Sequence, residues 1–492
     1  MGHTSSDDFK EVRDPEGSNA SRFANSVSMV QAAHVVALQH QGVVDETAAA
    51  AILRAIDSVS LGSQGNQTGV WQIVANVDDK VEAATPSEIA GASALGRTRN
   101  ETIATALRMT WRADASQIAS ASLDLRSAAL ELAVAHTVTV LGAFADRKAA
   151  APSTLAHFLG GFVGPLESTW SRLIQAIDAV NRSPLGSGLM VGEVFSADRS
   201  ETASLLGFRE PIANTLDASG QVEDIVQVLE AASSQAAVIR RLVNELLLWI
   251  RTDPTSFFID ERWESSPEPA HAAHNVSIRL EHLNSAALRA SQMVNMAVEQ
   301  LRAQPYGPIG VSWDTLAPAI DSALEAVSEV VTDATSAIRE ALIVNRAYLA
   351  NRAGRLYSTA SDLAAFLMED QQINPAAAQR IAGLAVARLK EASLEAAQIT
   401  PDIIDSAAVL VIGQELKVEM ETLGRYIAPR RFLERRDVLG SPKSDRTREW
   451  LATVEQNLQA HRGIVAERTE AWTSALNSLN AILAESAETS EN

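Results

Sequence analysis

Three short polar stretches carry the residue types that could do chemistry. The first, ESSPEPAHAAHN at residues 264–275, sets Ser265 and Ser266 beside prolines and the histidines His271 and His274. A serine is a weak base unless its alkoxide is stabilised by amide groups and cations. Beside Pro267 the same pair also reads as ordinary turn residues. His271 could supply a positive charge when protonated. The second stretch, GRTRNE at residues 96–101, lines up a hydroxyl, a guanidinium fork and an amide at Thr98, Arg99 and Asn100. Those are the donors that a dicarboxylate needs. Thr98 followed three residues later by Glu101 is equally a capping box that starts a helix. The third, NRSPLGSG at residues 181–188, is a glycine-bearing turn whose residues suit fold-keeping better than bond-making.

A metal reading of His271, His274 and His282, with Glu268 nearby, fails on spacing. Histidines three apart suit one helix face, but the set matches no strong zinc pattern, so no metal and no cofactor is expected. His34 and His157 sit in apolar surroundings and read as satisfied core or supporting histidines.

The elements that must position these stretches are helices. Between residues 221 and 251, Val222, Ile225, Val226, Leu229, Ile239, Leu242, Leu246 and Ile250 recur at helical spacings. From 316 to 349, Ile320, Leu324, Val327, Val331, Ala334, Ile338 and Leu342 mostly alternate steps of four and three, a heptad-like seam that wants a facing helix. Segments 101–136 and 276–301 behave similarly and are rich in good helix formers. At about 1.5 Å per residue these make helices of roughly 40–50 Å. No strand–helix alternation with a glycine-rich loop is visible, so a dinucleotide fold is not expected. The uncharged runs at 132–145, broken only by His136, and at 149–166 read as a buried helix and as a loop entering one. The expected class is all-α. Its expected organisation is a disordered N-terminus at 1–20, a helical domain at 21–100 broken by SLGSQGNQTG, a central long-helix bundle at 101–349, and shorter helices with an acidic tail at 350–492.

Composition excludes several function classes. The 492 residues are 46% hydrophobic and 21% charged, enough to bury a core, and the net charge is −20. That charge argues against nucleic acid and against an anionic membrane as partners. The absence of cysteine removes thiolate nucleophiles, disulfides and cysteine-held metals, and permits a reducing compartment. With no apolar stretch in the polar N-terminus, the expected location is cytoplasmic.

In order and spacing, GRTRNE, the NRSPLGSG turn followed by Ala197-Asp198-Arg199, LLGF and Asn214-Thr215-Leu216-Asp217-Ala218, and the serine pair of ESSPEP resemble the argininosuccinate lyases of the fumarase/aspartase superfamily. The resemblance runs from about Ser21 to about Gln459 and includes SDLAAFL, RIAGLAV and RRDVLGSPKSDRTREWL. It implies a three-domain helical architecture and a homotetramer whose active sites each collect loops from three chains. It also implies an anti β-elimination that releases fumarate from a succinylated amine or amino acid. By the same resemblance Ser266 is the base, while Thr98, Arg99, Asn100, Ser265 and Tyr306 face the substrate; His271, where the family match has ended, is expected to face it through the charge it could carry.

The departures from that pattern matter as much. After Pro269 the family's loop lysine has no equivalent. Aligned through residues 152–157, the family's catalytic Thr-His pair falls on Ala145 and Asp146. A carboxylate could act there if burial raised its pKa, or Asp146 could be a helix-end charge beside Arg147 and Lys148. The family's D-V-H reads Asn76-Val77-Asp78, and its arginine-gripping run reads Tyr306-Gly307-Pro308-Ile309-Gly310-Val311-Ser312, in which only the tyrosine survives. Two expectations follow: a C–N lyase with an altered leaving group, or a catalytically inactive tetrameric paralogue with a structural or regulatory role. A metal-dependent enzyme built on the histidine loop is a third.

Overall fold

The computed structural model describes residues 19–59, 69–145, 148–195, 197–264, 276–353 and 357–488. Helices α1 (Asn19–His40), α2 (Glu46–Ser58) and α3 (Val70–Ala84) lead into α4 (Arg99–Ala135), which runs 37 residues without an internal glycine or proline. A hairpin of β1 (Val140–Ala145) and β2 (Lys148–Thr154) follows, then α5 (Leu155–Val180). The short parallel pair β3 (Arg182–Ser183) and β4 (Glu210–Pro211) brackets α6 (Arg199–Leu205), and α7 (Thr215–Gly220) leads to α8 (Glu223–Thr252). Strand β5 (Phe257–Ile259) precedes α9 (Ile278–Arg302) and α10 (Trp313–Ser336). A π-turn at Ala337–Ala341 then feeds β6 (Leu342–Val344), which pairs antiparallel with β5.

Helices α4, α5, α8, α9 and α10 pack on one another as the central bundle, with the α4/α5, α5/α8, α8/α9, α9/α10 and α4/α10 faces in contact. Their buried positions fall at helical spacing: Ile320, Leu324, Val327, Val331 and Ala334 of α10 are all 2% exposed or less. The apolar faces of α1, α2 and α3 join the same core. A separate small core gathers Leu363, Phe366, Ile381, Ala385, Ile404 and Leu423. It is built by α12 (Ala360–Glu369), α13 (Pro375–Glu391), α14 (Pro401–Ile412) and α15 (Met420–Ile427), which follow α11 (Arg346–Arg352). After α16 (Pro429–Glu434), α17 (Ser444–Glu488) returns to the bundle and lies on α2 and α4. The all-α class holds, and the strands are short local pairs.

Several local expectations are corrected. Residues 132–145 are not one helix: α4 stops at Ala135, and the Thr137-Val138-Thr139-Val140 run, β-branched throughout, turns into β1. Residues 149–154 are not loop but strand β2. The heptad-like seam ends at Ala341, and Leu342 enters a strand. The segment after 350 holds not only short helices but also the longest one, the 45-residue α17, which tolerates its single Gly463. Residues 1–18, most of the N-terminus expected to be disordered, lie outside the described residues, and α1 begins at Asn19. No helix among the described residues is long and apolar enough to cross a membrane.

Candidate active site

The site is organised around the first turn of α4. Thr98 accepts a hydrogen bond from the Glu101 amide at 3.5 Å, and Glu101 Oε1 accepts from the Thr98 amide at 2.7 Å, so the expected capping box is formed. The second Glu101 oxygen reaches into the glycine turn, accepting from the Gly188 amide at 2.8 Å and from the Ser187 hydroxyl at 3.5 Å. Glu101 is 1% exposed, and burial pushes its carboxyl up against the downward pull of those amides and of Arg97. The Thr98 hydroxyl also donates to the Gly188 carbonyl at 3.4 Å. GRTRNE and SPLGSG, about 90 residues apart in the chain, are thus joined through one carboxylate.

Asn100 is 4% exposed and faces a third segment. Its Oδ1 accepts from the Gly310 amide at 3.0 Å, while its Nδ2 is buried with no hydrogen-bond partner among the described residues. A buried amide donor without an acceptor costs about 1–3 kcal/mol, so a ligand oxygen there would be favoured. The 306–310 loop also meets α7: the Tyr306 hydroxyl donates to Asp217 Oδ1 at 3.0 Å, and Gly220 lies hard against the Gly307 backbone. NTLDASG and YGPIG are therefore held against the start of α4 as well.

Arg99 is partly exposed and donates through Nε to Asp78 Oδ2 at 3.3 Å. Asp78 Oδ1 accepts from Arg97 at 3.0 Å and from Gln31 Nε2 at 2.8 Å. Asp78 thus serves two arginines. Its distance from them in sequence, about 20 residues and with no periodic relation, left no signal for the pairing. His34 is buried as expected, with its Nε2 donating to the Leu95 carbonyl at 2.9 Å. His157 is satisfied by Ser153 and the Gly440 carbonyl, but it is exposed rather than apolar in setting.

Behind the motif loops lies a layer of cations, of which Arg108 and Arg112 are buried and Arg182 is partly buried. Arg108 and Arg182 converge on the 4%-exposed Asp224 at 3.2 and 2.9 Å. Among the described residues Arg112 has no carboxylate beside it, and it donates instead to Asn181 Oδ1 and to the Leu206 and Gly207 carbonyls. Past the glycine turn, Leu189, Val191, Val194 and Phe195 stand exposed, Val194 by 93%.

Four expected site residues, Asp146, Ser265, Ser266 and His271, lie outside the described residues. Their flanks are described. Ala145 pairs with Lys148 in the hairpin, so Asp146 is flanked by strands rather than by a helix end. The Arg279 guanidinium lies 4.0 Å from the Trp263 ring, which brings the two ends of the 265–275 interval together. Among the described residues no group of three or more metal-ligating side chains forms.

The model of the family described as Lyase matches residues 8–266. The chain belongs to this lyase family. Its similarity continues beyond the matched segment. It is 27% identical over 451 residues to the argininosuccinate lyase of Methanoculleus marisnigri, covering 91% of this chain and 90% of that one. It is 29% identical over 338 residues to the argininosuccinate lyase of Natronomonas pharaonis, covering 69% and 68%. Among solved structures, this lyase superposes on EDDS lyase in complex with formate with a TM-score of 0.86 at 22% identity, covering 96% and 93% of the two chains. The class II fumarase of Schistosoma mansoni follows the same fold with a TM-score of 0.67 at 13% identity, covering 83% and 90%. The superfamily's helical-bundle fold is thereby established for the chain.

Proposed function

We propose that this lyase cleaves a C–N bond by anti β-elimination, releasing fumarate from a succinylated amine or amino acid. The observation that carries the reading is the unpartnered Nδ2 of Asn100, buried where GRTRNE, the glycine turn and the 306–310 loop meet. With Arg99 beside it, that donor suits one carboxylate of a dicarboxylate substrate. Ser266 is the proposed base. It takes the proton next to a carboxylate, an aci-carboxylate forms, and the amine departs to leave fumarate. Ser265 and His271 would face the same substrate, and Asp146 would take the part of the family histidine. The hydroxyl of Thr98 is committed to the helix start, so its part is to hold the site's shape.

The leaving group is proposed to differ from arginine. From Tyr306 to Ser312 there is no charged side chain to grip a guanidinium or an α-carboxylate, and the Tyr306 hydroxyl is turned onto Asp217. The exposed apolar run at 189–195 supports a homotetramer with shared sites, because nothing among the described residues covers it. The cysteine-free composition supports a cytoplasmic location.

The test follows fumarate by its ultraviolet absorbance on incubation with argininosuccinate and with other N-substituted aspartates. Release from one of the others, abolished by Ser266→Ala and depressed by Asp146→Asn, is the expected result. Release from none of them by an intact oligomer would favour the inactive-paralogue reading and sink this one.

A further inference from the structure

Resting on the lyase reading, we infer that Asp78 is a positioning residue for the substrate's carboxylate, acting through Arg99. Three observations meet at this carboxylate. Arg99 offers it only the Nε–H, at 3.3 Å, and remains 43% exposed. That leaves the two terminal nitrogens of the guanidinium fork for an outside anion. Arg97, whose side chain is 2% exposed, spends one terminal nitrogen on Asp78 at 3.0 Å and the other on the Thr102 hydroxyl at 2.9 Å. Gln31, 1% exposed on α1, donates to the same Asp78 oxygen as Arg97, at 2.8 Å.

One oxygen of the carboxylate is therefore fixed by two groups that are themselves buried, and the other is left to Arg99. Arg99 is the one arm of the cluster that reaches solvent. Asp78 is shared between two guanidinium groups, Arg97 also lies near the Glu101 carboxylate, and the positive charge that faces solvent is that of Arg99. A long, flexible arginine loses side-chain freedom when it grips a ligand. Anchoring its Nε in advance removes part of that loss and points the fork, which is how a pre-organised group binds more tightly than a free one. The neighbouring Asn100 amide completes a pair of donors on consecutive residues of one helical turn.

Orientation and bare charge predict opposite effects of removing Asp78. If Asp78 contributed only its charge, then removing that charge beside an anion site would tighten anion binding. If Asp78 orients Arg99, removing the charge loosens it.

Isothermal titration of fumarate into the full-length wild-type protein and into Asp78→Asn, with melting temperatures recorded alongside, separates the two. The expected result is a roughly tenfold weaker Kd for Asp78→Asn in a variant that still unfolds cooperatively, at a melting temperature lowered because buried Arg97 loses its counter-charge. Equal or tighter binding by the folded variant would overturn the inference and leave the lyase reading standing. Arg99→Lys, at a partly exposed position, keeps the charge and removes the Nε–H. It decides the matter should Asp78→Asn fail to fold: a similar loss is expected, and wild-type affinity would overturn the inference. Failure of the wild-type protein to bind fumarate at all would instead overturn the lyase reading on which the inference rests.

Discussion

The guanidinium of Arg112, in the middle of α4, donates to the carboxamide oxygen of Asn181 at 2.7 Å. Its remaining hydrogen bonds go to the Leu206 and Gly207 carbonyls, at 2.7 and 3.1 Å. The group lies between the rings of Phe208 and Trp472, 4.5 and 5.1 Å from their centroids. One buried side chain thus ties the NRSPLGSG turn, the LLGF loop and α17 to the bundle.

Arg112 is expected to be a stability residue. It is 1% exposed and has no counter-ion, and burial pushes its pKa down to about 9. Arg112→Met would leave one buried and two partly buried acceptors without donors, the buried one worth about 1–3 kcal/mol, so a loss of about 3 kcal/mol is expected in urea unfolding. Lysine would not rescue it, because one ammonium cannot span the three acceptors that the planar fork serves. Asn181→Ala removes one acceptor and leaves Arg112 two others, so it should cost about 1 kcal/mol. An equal effect of the two variants would contradict this division of roles.

His34 gives the site an acid limit. Burial and the nearby Arg97 lower its pKa from 6.5 to about 4, against the upward pull of its bond to Leu95. Because the folded pKa is depressed, the unfolded chain binds the proton first. The stability contributed by neutral His34 is present above about pH 6.5 and is lost as pH falls through about 4. The shift corresponds to about 3 kcal/mol at the acid end. His34→Gln, which can still donate to the Leu95 carbonyl, should flatten the fall in melting temperature between pH 6.5 and 4. An unchanged slope would show that other groups govern it.

Asp321 works in the opposite direction. Burial lifts its carboxyl from 3.8 to about 6, helped by Asp114 and Glu325 and opposed by the Trp111 indole and Arg22. A raised carboxyl favours the folded state when protonated, so its contribution is full below about pH 4 and is lost as pH rises through about 6. Asp321→Asn keeps an oxygen for the Trp111 Nε1–H, which donates at 2.7 Å. The variant should therefore be more stable than wild type at pH 8, by about 1–3 kcal/mol, with the gap closing near pH 4. A gap independent of pH would mean that Asp321 is ionised throughout.

The sequence made the helices of the bundle legible because their cores repeat. Val327, Val331 and Ala334 announce a buried face whatever lies opposite them. The capping box at Thr98 was legible for the same reason, being local. What joins the loops was not. Glu101 reads as a helix start, yet its other oxygen holds Gly188, a contact that no short-range pattern encodes. Arg112 reads as one more helical arginine until Asn181 and Trp472 are beside it. Residues 342–344 and 140–145 were read through by helical spacing, because short apolar runs fit either period and tertiary pairing decides between them.

Gly220 offers the sharpest test of whether the 306–310 loop belongs to the site. A Cβ placed there would stand 2.4 Å from the Gly307 amide nitrogen and 2.8 Å from its Cα. Both are backbone atoms, so the loop itself must move, at about 1–3 kcal/mol. Moving it breaks the Gly310–Asn100 bond and the Tyr306–Asp217 bond together. Gly220→Ala is therefore expected to lower stability moderately and fumarate affinity about tenfold or more, because Asn100 would lose the amide that fixes its carboxamide. Gly161→Ala is the matched control. It lies on α5 with nothing within 4 Å of the added methyl, so helix propensity should make it neutral to stabilising. If Gly220→Ala loses stability yet binds fumarate as wild type does, the orientation of Asn100 does not depend on the loop, and Tyr306 and Gly310 leave the site.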